Sequence, residues 1–283
     1  VGALREDLPT LSWMGEETRT AAAGKLNAFK RRIGYPDVWR DYSSLQIRPD
    51  SYAANLQASR QADFRRAVSR VGKPDDPNEW GVFTPATVNA SYNASRNFIT
   101  FPAGILQPPF YDPNADDAYN YGGIGMVIGH EMTHGFDDRG AKFDAAGNLR
   151  NWWSEADLKN FQARAECIED QYAEFVVEPG LNLQGKLVTG EAIADLGGTA
   201  LALRAYQKSL EGKERKTIDG FTPEQRFFLG LAQVWGQNVS PEEARKRALT
   251  DPHAPGAYRV NGTVTNMPEF QRAWSCGQEI RMV

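Results

Sequence analysis

Two of the chain's three histidines, His130 and His134, stand four positions apart with Glu131 between them, in the stretch GGIGMVIGHEMTHGFDD at residues 122–138. On an α-helix, positions i and i+4 lie on one face, about 6 Å apart along the axis. Both imidazoles can then hold one ion, and Glu131 sits beside them to handle a proton. H-E-x-x-H is the arrangement in which two histidines bind zinc and the glutamate is a general base, not a ligand. The competing reading is a chance pair of histidines on one helix face. Gly122, Gly123, Gly125 and Gly129 speak against a helix built for stability alone, since each costs roughly 1 kcal/mol relative to Ala. They predict that another backbone approaches this helix closely.

A catalytic zinc needs a third protein ligand and an open position. No third histidine follows closely, so the ligand is sought among downstream acids. VTGEAIADLGG, residues 188–198, offers Glu191 and Asp195, again at i and i+4, on a predicted helix closed by Gly197 and Gly198. Glu191 is the candidate ligand. Asp195, one turn on, is placed to accept the free ring N–H of His130 and fix its tautomer. The alternative is a solvated acidic pair, but the surrounding Ala, Ile, Leu and Gly do not form a solvent-facing stripe.

The elements that must position these residues can be read from capping and periodicity. Residues 16–33, EETRTAAAGKLNAFKRRI, read as one surface helix, acidic at its start, basic at its end and stopped at Gly34. A second helix is predicted over residues 51–71, with Tyr52, Leu56, Phe64, Ala67 and Val68 roughly on one face. GKPDDPNEWG then marks a boundary at residues 72–78. Beyond it the chain turns β-branched and aromatic, which predicts two or three strands within residues 82–101, turning near 93–96. Helices resume at Gly122. Ser154 with Asp157, Thr222 with Pro223 and Gln225, and Ser240 with Pro241 mark three further helix starts. The fold expected is α+β and mainly helical, with a small β-sheet inserted before the histidines. Residues 1–75 form a helical lead-in and residues 76–283 the chemical domain.

Composition narrows the function further. With 283 residues, 41% of them hydrophobic, the chain can bury a substantial core. A net charge of -4 with scattered Lys and Arg gives no basic stripe for a nucleic-acid partner. No run approaches the roughly 18 apolar residues of a membrane span. The start, VGALREDLPT, has neither a basic segment nor an apolar one like a signal peptide and lacks an initiating Met, so the chain reads as a piece of something longer. Cys167 and Cys276 are too few to fix a redox compartment.

The motifs VNASYN, NFITFPAGILQPPFYDP, NYGGIGMVIGHEMTHGFDDRG, GEAIADLGG, FFLGLAQVW and DPHAPGAYRVNG occur in the order found in the neprilysin family of zinc endopeptidases. From Leu11 onward the chain resembles that family's C-terminal catalytic domain. The resemblance implies a zincin, thermolysin-like domain with an HExxH active-site helix. It makes His130, His134 and Glu191 the ligands of one Zn2+ per chain, Glu131 the base and Asp195 the orienting residue. The separation of 191 − 134 = 57 positions suits this family. Asn89 and Ala90 match the segment that grips substrate backbone, and an extended segment at a sheet edge suits that role because it adds the peptide as another strand. A glycan on the Asn89 sequon would block this cleft, so that sequon is expected to be silent. His253 and Arg259 are implied to stabilise the oxyanion and to hold a substrate carbonyl.

The same match assigns Ile105, Phe110, Met126, Val127, Val234 and Trp235 to the pocket beyond the scissile bond. Helical spacing independently supports two of them, since Met126 and Val127 precede His130 and Glu131 by four. The implied activity is a zinc-dependent endopeptidase that hydrolyses oligopeptides on the amino side of hydrophobic residues, by Glu131-assisted attack of zinc-bound water. Two rivals stand beside it. One is a zinc-containing scaffold that binds peptides or proteins without turnover, for which Glu131 would be unnecessary. The other is a different zincin, such as an aminopeptidase. Family analogy implies an extracytoplasmic location (periplasmic, secreted or cell-surface), peptide substrates, and a missing N-terminal lid domain as partner. The chain departs from animal members at Ala192, often Asn there, and in its ending CGQEIRMV. It also lacks the partners of Cys167 and Cys276, so both thiols are expected to be free or unusually paired.

Overall fold

The computed structural model describes residues 1–74, 76, 79–81 and 83–276. Helices α1 (Gly2–Asp7) and α2 (Glu16–Asn27), strand β1 (Lys30–Gly34) and helix α3 (Tyr52–Ser69) come first. Strands β2 (Ser91–Asn93) and β3 (Phe98–Pro102) follow, then α4 (Asp117–Asn120), a π-helical turn at Tyr121–Gly125, and α5 (Met126–Thr133), continuous with it. Next come α6 (Glu155–Ala173), the hairpin β4 (Val176–Glu178) and β5 (Leu181–Asn182), and the long α7 (Gly185–Ser209). Helices α8 (Pro223–Val234), α9 (Pro241–Thr250), α10 (Gly256–Thr265) and α11 (Pro268–Trp274) complete the described chain. The fold is mainly helical with small sheets, as the sequence predicts. Among the described residues no helix is long and apolar enough to cross a membrane.

The contact that organises the fold is between α5 and α7. A Cβ on Gly129 would lie 2.5 Å from the Gly198 carbonyl oxygen, and one on Gly198 would run into the His130 backbone nitrogen. The two helices therefore touch backbone to backbone, as only glycine permits. Gly122 and Gly123 meet the backbones of Phe227 and Phe110 in the same way, whereas nothing comes nearer than 3.4 Å to a Cβ on Gly125. The close approach expected at four glycines thus holds at three.

The single surface helix expected over residues 16–33 is corrected. Helix α2 stops at Asn27, and residues 30–34 pair in parallel with β3, Lys30 opposite Phe98 and Gly34 opposite Pro102. The residues after Asn27 have ordinary helix propensity. However, β3 is buried along its whole length and offers an open edge, and Phe29 enters the core, so tertiary pairing overrides propensity. Helix α2 itself lies at the surface, with Glu16, Glu17, Thr20, Gly24 and Asn27 exposed, and buries Thr18, Ala22, Lys25 and Leu26 on its inner face. Leu4, Leu8, Met14, Ala22 and Leu26 share one core with Met126, Met132 and Leu203, so the N-terminal residues are part of the body that carries the histidines.

The sheet order β1-β3-β2 leaves β2 as an edge strand. The β2–β3 hairpin turns through residues 94–97 and matches the strands expected within residues 82–101, although Val82 itself lies outside the described residues. The expected boundary at 72–78 carries no helix or strand at its described members; Asp75, Pro77 and Asn78 lie outside them. The chain ending beyond Cys276 also lies outside the described residues, and both cysteines are free. Helix α3 forms with Ser51 as its cap, yet Tyr52, Phe64 and Val68 are exposed and none of its residues is buried.

The caps at Ser154, Thr222 and Ser240 form as read, with a full capping box at Thr222 and Gln225. Asp157 does more than sit in a first turn. Its carboxylate accepts from the Gly15 N–H at 2.9 Å and the Thr18 hydroxyl at 2.6 Å, pinning the start of α2 to α6. The Thr18 hydrogen bond is the chief cause that holds this carboxyl below its ordinary pKa. A depressed carboxylate contributes stability that is complete above the ordinary carboxylate range and is lost as pH falls through the folded pKa. Replacing Asp157 by Asn is expected to cost about 1–3 kcal/mol at neutral pH. In thermal melts, the gap from wild type should shrink in acid, where the wild-type carboxyl is itself protonated.

Candidate metal centre and cleft

Helix α5 carries His130 on its last full turn and His134 as its C-cap, still in right-handed helical conformation, so the i and i+4 geometry survives to the end. The two rings lie 4.4 Å apart, nearly perpendicular. Across the glycine contact, α7 delivers Glu191, whose Oε2 lies 3.2 Å from His130 Nε2 and 3.6 Å from His134 Nε2. The structure therefore brings the three candidate ligands together.

Each imidazole uses its other nitrogen against an aspartate. His130 Nδ1 is 2.8 Å from Asp195 Oδ1, and His134 Nδ1 is 2.6 Å from Asp137 Oδ2. An ionised carboxylate only accepts, so both Nδ1 atoms carry a proton, and the Nε2 of each ring, the nitrogen left for an ion, faces Glu191. Two ring nitrogens and one carboxylate oxygen thus converge, and the buried Glu191 Oε2 has no hydrogen-bond partner. With both Nε2 atoms deprotonated, these three acceptors repel unless a cation lies between them. Two imidazoles and one carboxylate are the donor set of a hydrolytic zinc site, so these residues fit that ion.

The surrounding charges point the same way. Burial opposes a charged ring at His130, but the Asp195 and Glu191 carboxylates outweigh it and raise the pKa to about 9. His134 is raised against burial by Asp137. Burial works toward a neutral Glu191, but His130 foremost, with His134 and His253, pulls it down to about 2. A site that draws a proton this strongly draws a divalent cation by the same field, and binding the cation displaces the proton. Glu131 is 5% exposed, and burial raises its pKa, the direction a general base requires to work near neutrality.

Asp195 lies behind His130 and is itself held. Arg259 donates from Nε to Asp195 Oδ2 at 2.7 Å and from Nη2 to Oδ1 at 2.6 Å, and its guanidinium stacks 3.8 Å from the centre of the Trp235 ring. This pair holds Asp195 far below the usual carboxylate range despite complete burial. Arg259 therefore braces the orienting carboxylate in addition to the substrate-facing position expected of it. His253 Nε2 lies 3.3 Å from Glu191 Oε2, and its Nδ1 lies 2.8 Å from Asp251 Oδ1.

All the candidate site residues except Asp195 line one cleft of about 700 Å³. Ile105, Phe110, Met126, Val127, Val234 and Trp235 border it together, and so do Asn89 and Ala90, immediately before the edge strand β2. In this structure the Ala90 N–H donates to the Asn89 side chain at 2.9 Å. Asp137 and Asp251, the partners of His134 and His253, were not singled out from the sequence. Both stand close to their histidines in the sequence, three positions after and two before, so local spacing is the signal that marks them.

An HExxH helix packed against a second helix that supplies an acidic group to the same point defines a zincin-type metallopeptidase site. The chain belongs to peptidase family M13, whose model matches residues 89–283. That agrees with the neprilysin-family resemblance. The chain is 40% identical over 287 residues to endothelin-converting enzyme 1 of Mus musculus, an alignment that covers 97% of this chain and 37% of the relative. It is 43% identical over 277 residues to neprilysin-11 of Caenorhabditis elegans, covering 93% and 32% respectively. The inhibitor complex of Mycobacterium tuberculosis zinc metalloprotease Zmp1 superposes with a TM-score of 0.95 at 45% identity, over 99% of this chain and 44% of that one. PepO from Lactobacillus rhamnosis gives a TM-score of 0.88 at 32% identity, over 99% and 43%. The chain thus spans less than half the length of the relatives it matches.

Removing the carboxylate at 137 should loosen the metal without touching a ligand. Asp137→Ala is expected to weaken zinc binding roughly 10–100-fold. Competition against a chromophoric chelator, on protein whose circular dichroism matches wild type, measures this.

Proposed function

We propose that this chain is the catalytic portion of a zinc-dependent endopeptidase that hydrolyses oligopeptides on the amino side of hydrophobic residues. The observation that carries the reading is the convergence of two imidazole Nε2 atoms and one carboxylate oxygen beside a buried Glu131. When bound, zinc supplies a Lewis acid at the scissile carbonyl and makes water a stronger acid. His130, His134 and Glu191 would hold one such ion. Glu131 takes a proton from the attacking water and returns it to the leaving amine. His253 and Arg259 donate to the developing oxyanion. His253 Nδ1 lies against Asp251 Oδ1, which fixes the ring with its Nε2 edge toward the cleft.

Substrate is held in two ways in this reading. Its backbone pairs beside Asn89, Ala90 and the free edge of β2, as an added strand. Its hydrophobic side chain enters the pocket bordered by Phe110, Met126, Val127 and Trp235. An aminopeptidase would need an unengaged carboxylate in the cleft to anchor a free amine. Among the described residues that line it, Asp137 is paired with His134, while Glu131 and Glu191 are taken up by the chemistry, which favours internal cleavage. An extracytoplasmic location is proposed from the family. So is a further region, supplied by the length that the relatives have beyond this chain, as a second wall over the cleft.

The test uses an internally quenched peptide with both ends blocked. Hydrolysis should require zinc, stop with chelator and return on adding the metal. Glu131→Gln should lower kcat by roughly 10²–10⁴-fold while zinc content stays at one per chain. Undiminished cleavage by that variant would sink the assignment of the base.

A further inference from the structure

Lys25 is a charged residue in the interior for which the chemistry described so far has no use. It lies on α2, outside the residues matched by the family model, and is 1% exposed. A buried ammonium is costly unless its donors are satisfied. Its Nζ donates to the Gly140 carbonyl at 2.7 Å and the Phe143 carbonyl at 2.6 Å. The rings of Tyr92, Phe136 and Trp152 surround it at 5.6–5.9 Å, where their electron-rich faces favour a cation. Burial is the main influence that pulls its pKa down, to about 8, and Asp137 and Asp144 oppose it.

The two carbonyls belong to the segment that supports the second histidine. Asp137 Oδ2 holds His134 Nδ1, while Asp137 Oδ1 accepts the N–H groups of Arg139 at 2.9 Å and Gly140 at 2.6 Å. Gly140 packs so tightly on the His134 carbonyl that a Cβ there would collide with it. One residue thus gives its N–H to Asp137 and its C=O to Lys25. The backbone at Lys25 is anchored in turn, since its own carbonyl accepts from Asn97 Nδ2 at 3.1 Å, and that amide also reaches the Ala145 carbonyl at 3.1 Å. Asn97 Oδ1 accepts from the hydroxyl of Tyr92, which lines the cleft. Lys25 is therefore the junction of α2, the β2–β3 hairpin and the segment after His134.

We propose that Lys25 is a positioning residue of the metal centre, which fixes the Gly140 and Phe143 carbonyls so that Asp137 stays pressed against His134. It acts through Asp137 and touches neither the ion nor substrate. The inference rests on the zinc reading above, and the test separates the two. Zinc affinity is measured by chelator competition on wild type, Lys25→Met, Lys25→Gln, Asp137→Ala and the double variant of Lys25→Met with Asp137→Ala, at a temperature well below the melting point of each. Asp157→Asn, which loosens α2 far from the ligands, serves as the control for stability alone.

The expected result is a loss of about 10-fold or more for Lys25→Met, a smaller loss for Lys25→Gln, which keeps a donor for one carbonyl, and no loss for the control. The double variant should bind no more weakly than Asp137→Ala, because the lysine works through that aspartate. Wild-type affinity in Lys25→Gln, or in Lys25→Met with a lowered melting point, would overturn the proposal, as would additive losses in the double variant. If Lys25→Met does not fold, the Lys25→Gln result decides. If the wild-type protein takes up no zinc, the metal reading itself fails, which is a different outcome.

Discussion

Two imidazole nitrogens and a carboxylate oxygen that lie within 4.8 Å of one another form an arrangement that a protein interior holds only around a cation, whether a proton or a metal ion. His130 Nε2, His134 Nε2 and Glu191 Oε2 are in that position, and the rest of the structure can be understood as what keeps them there. The first requirement is that two helices come close enough for a carboxylate on one to reach an imidazole pair on the other. Gly129 and Gly198 meet it by removing side chains from the α5–α7 contact. The second is that the imidazoles cannot rotate away.

That second requirement explains a pattern of paired acids. Each of the three histidines has its Nδ1 against an aspartate: His130 with Asp195, His134 with Asp137 and His253 with Asp251. Each aspartate is in turn held by donors. Arg259 takes Asp195 with two nitrogens, the N–H groups of Arg139 and Gly140 take Asp137, and Arg247 takes Asp251 at 2.9 Å. Such layering is costly in desolvation, because ions leave water, and is recovered only if every partner is in place. The carboxylates therefore serve to fix ring orientation more than to add stability.

Much of this is legible in the sequence because it is local. The i and i+4 spacing of His130 with His134 and of Glu191 with Asp195 needs only a helix, and the caps at Ser154 and Thr222 need only a few neighbours. What stayed hidden depends on distant partners. The break in residues 16–33 is decided by the open edge of β3, nearly 70 positions on, and nothing in AFKRRI announces it. Lys25 on a helix with mixed charges reads as solvated, and only the fold shows three aromatic rings and two carbonyls around it. The exposed apolar face of α3 has the opposite character, since its periodicity is plain in the sequence but no partner for it lies among the described residues.

The account stands on the shared cation. The most direct measurement is an anomalous difference map collected on either side of the zinc absorption edge, from crystals of the protein grown with stoichiometric zinc. The account expects one strong peak per chain, bounded by His130 Nε2, His134 Nε2 and Glu191 Oε2. A map with no peak there, or with Glu191 turned away from both imidazoles and the ion held elsewhere, would contradict it.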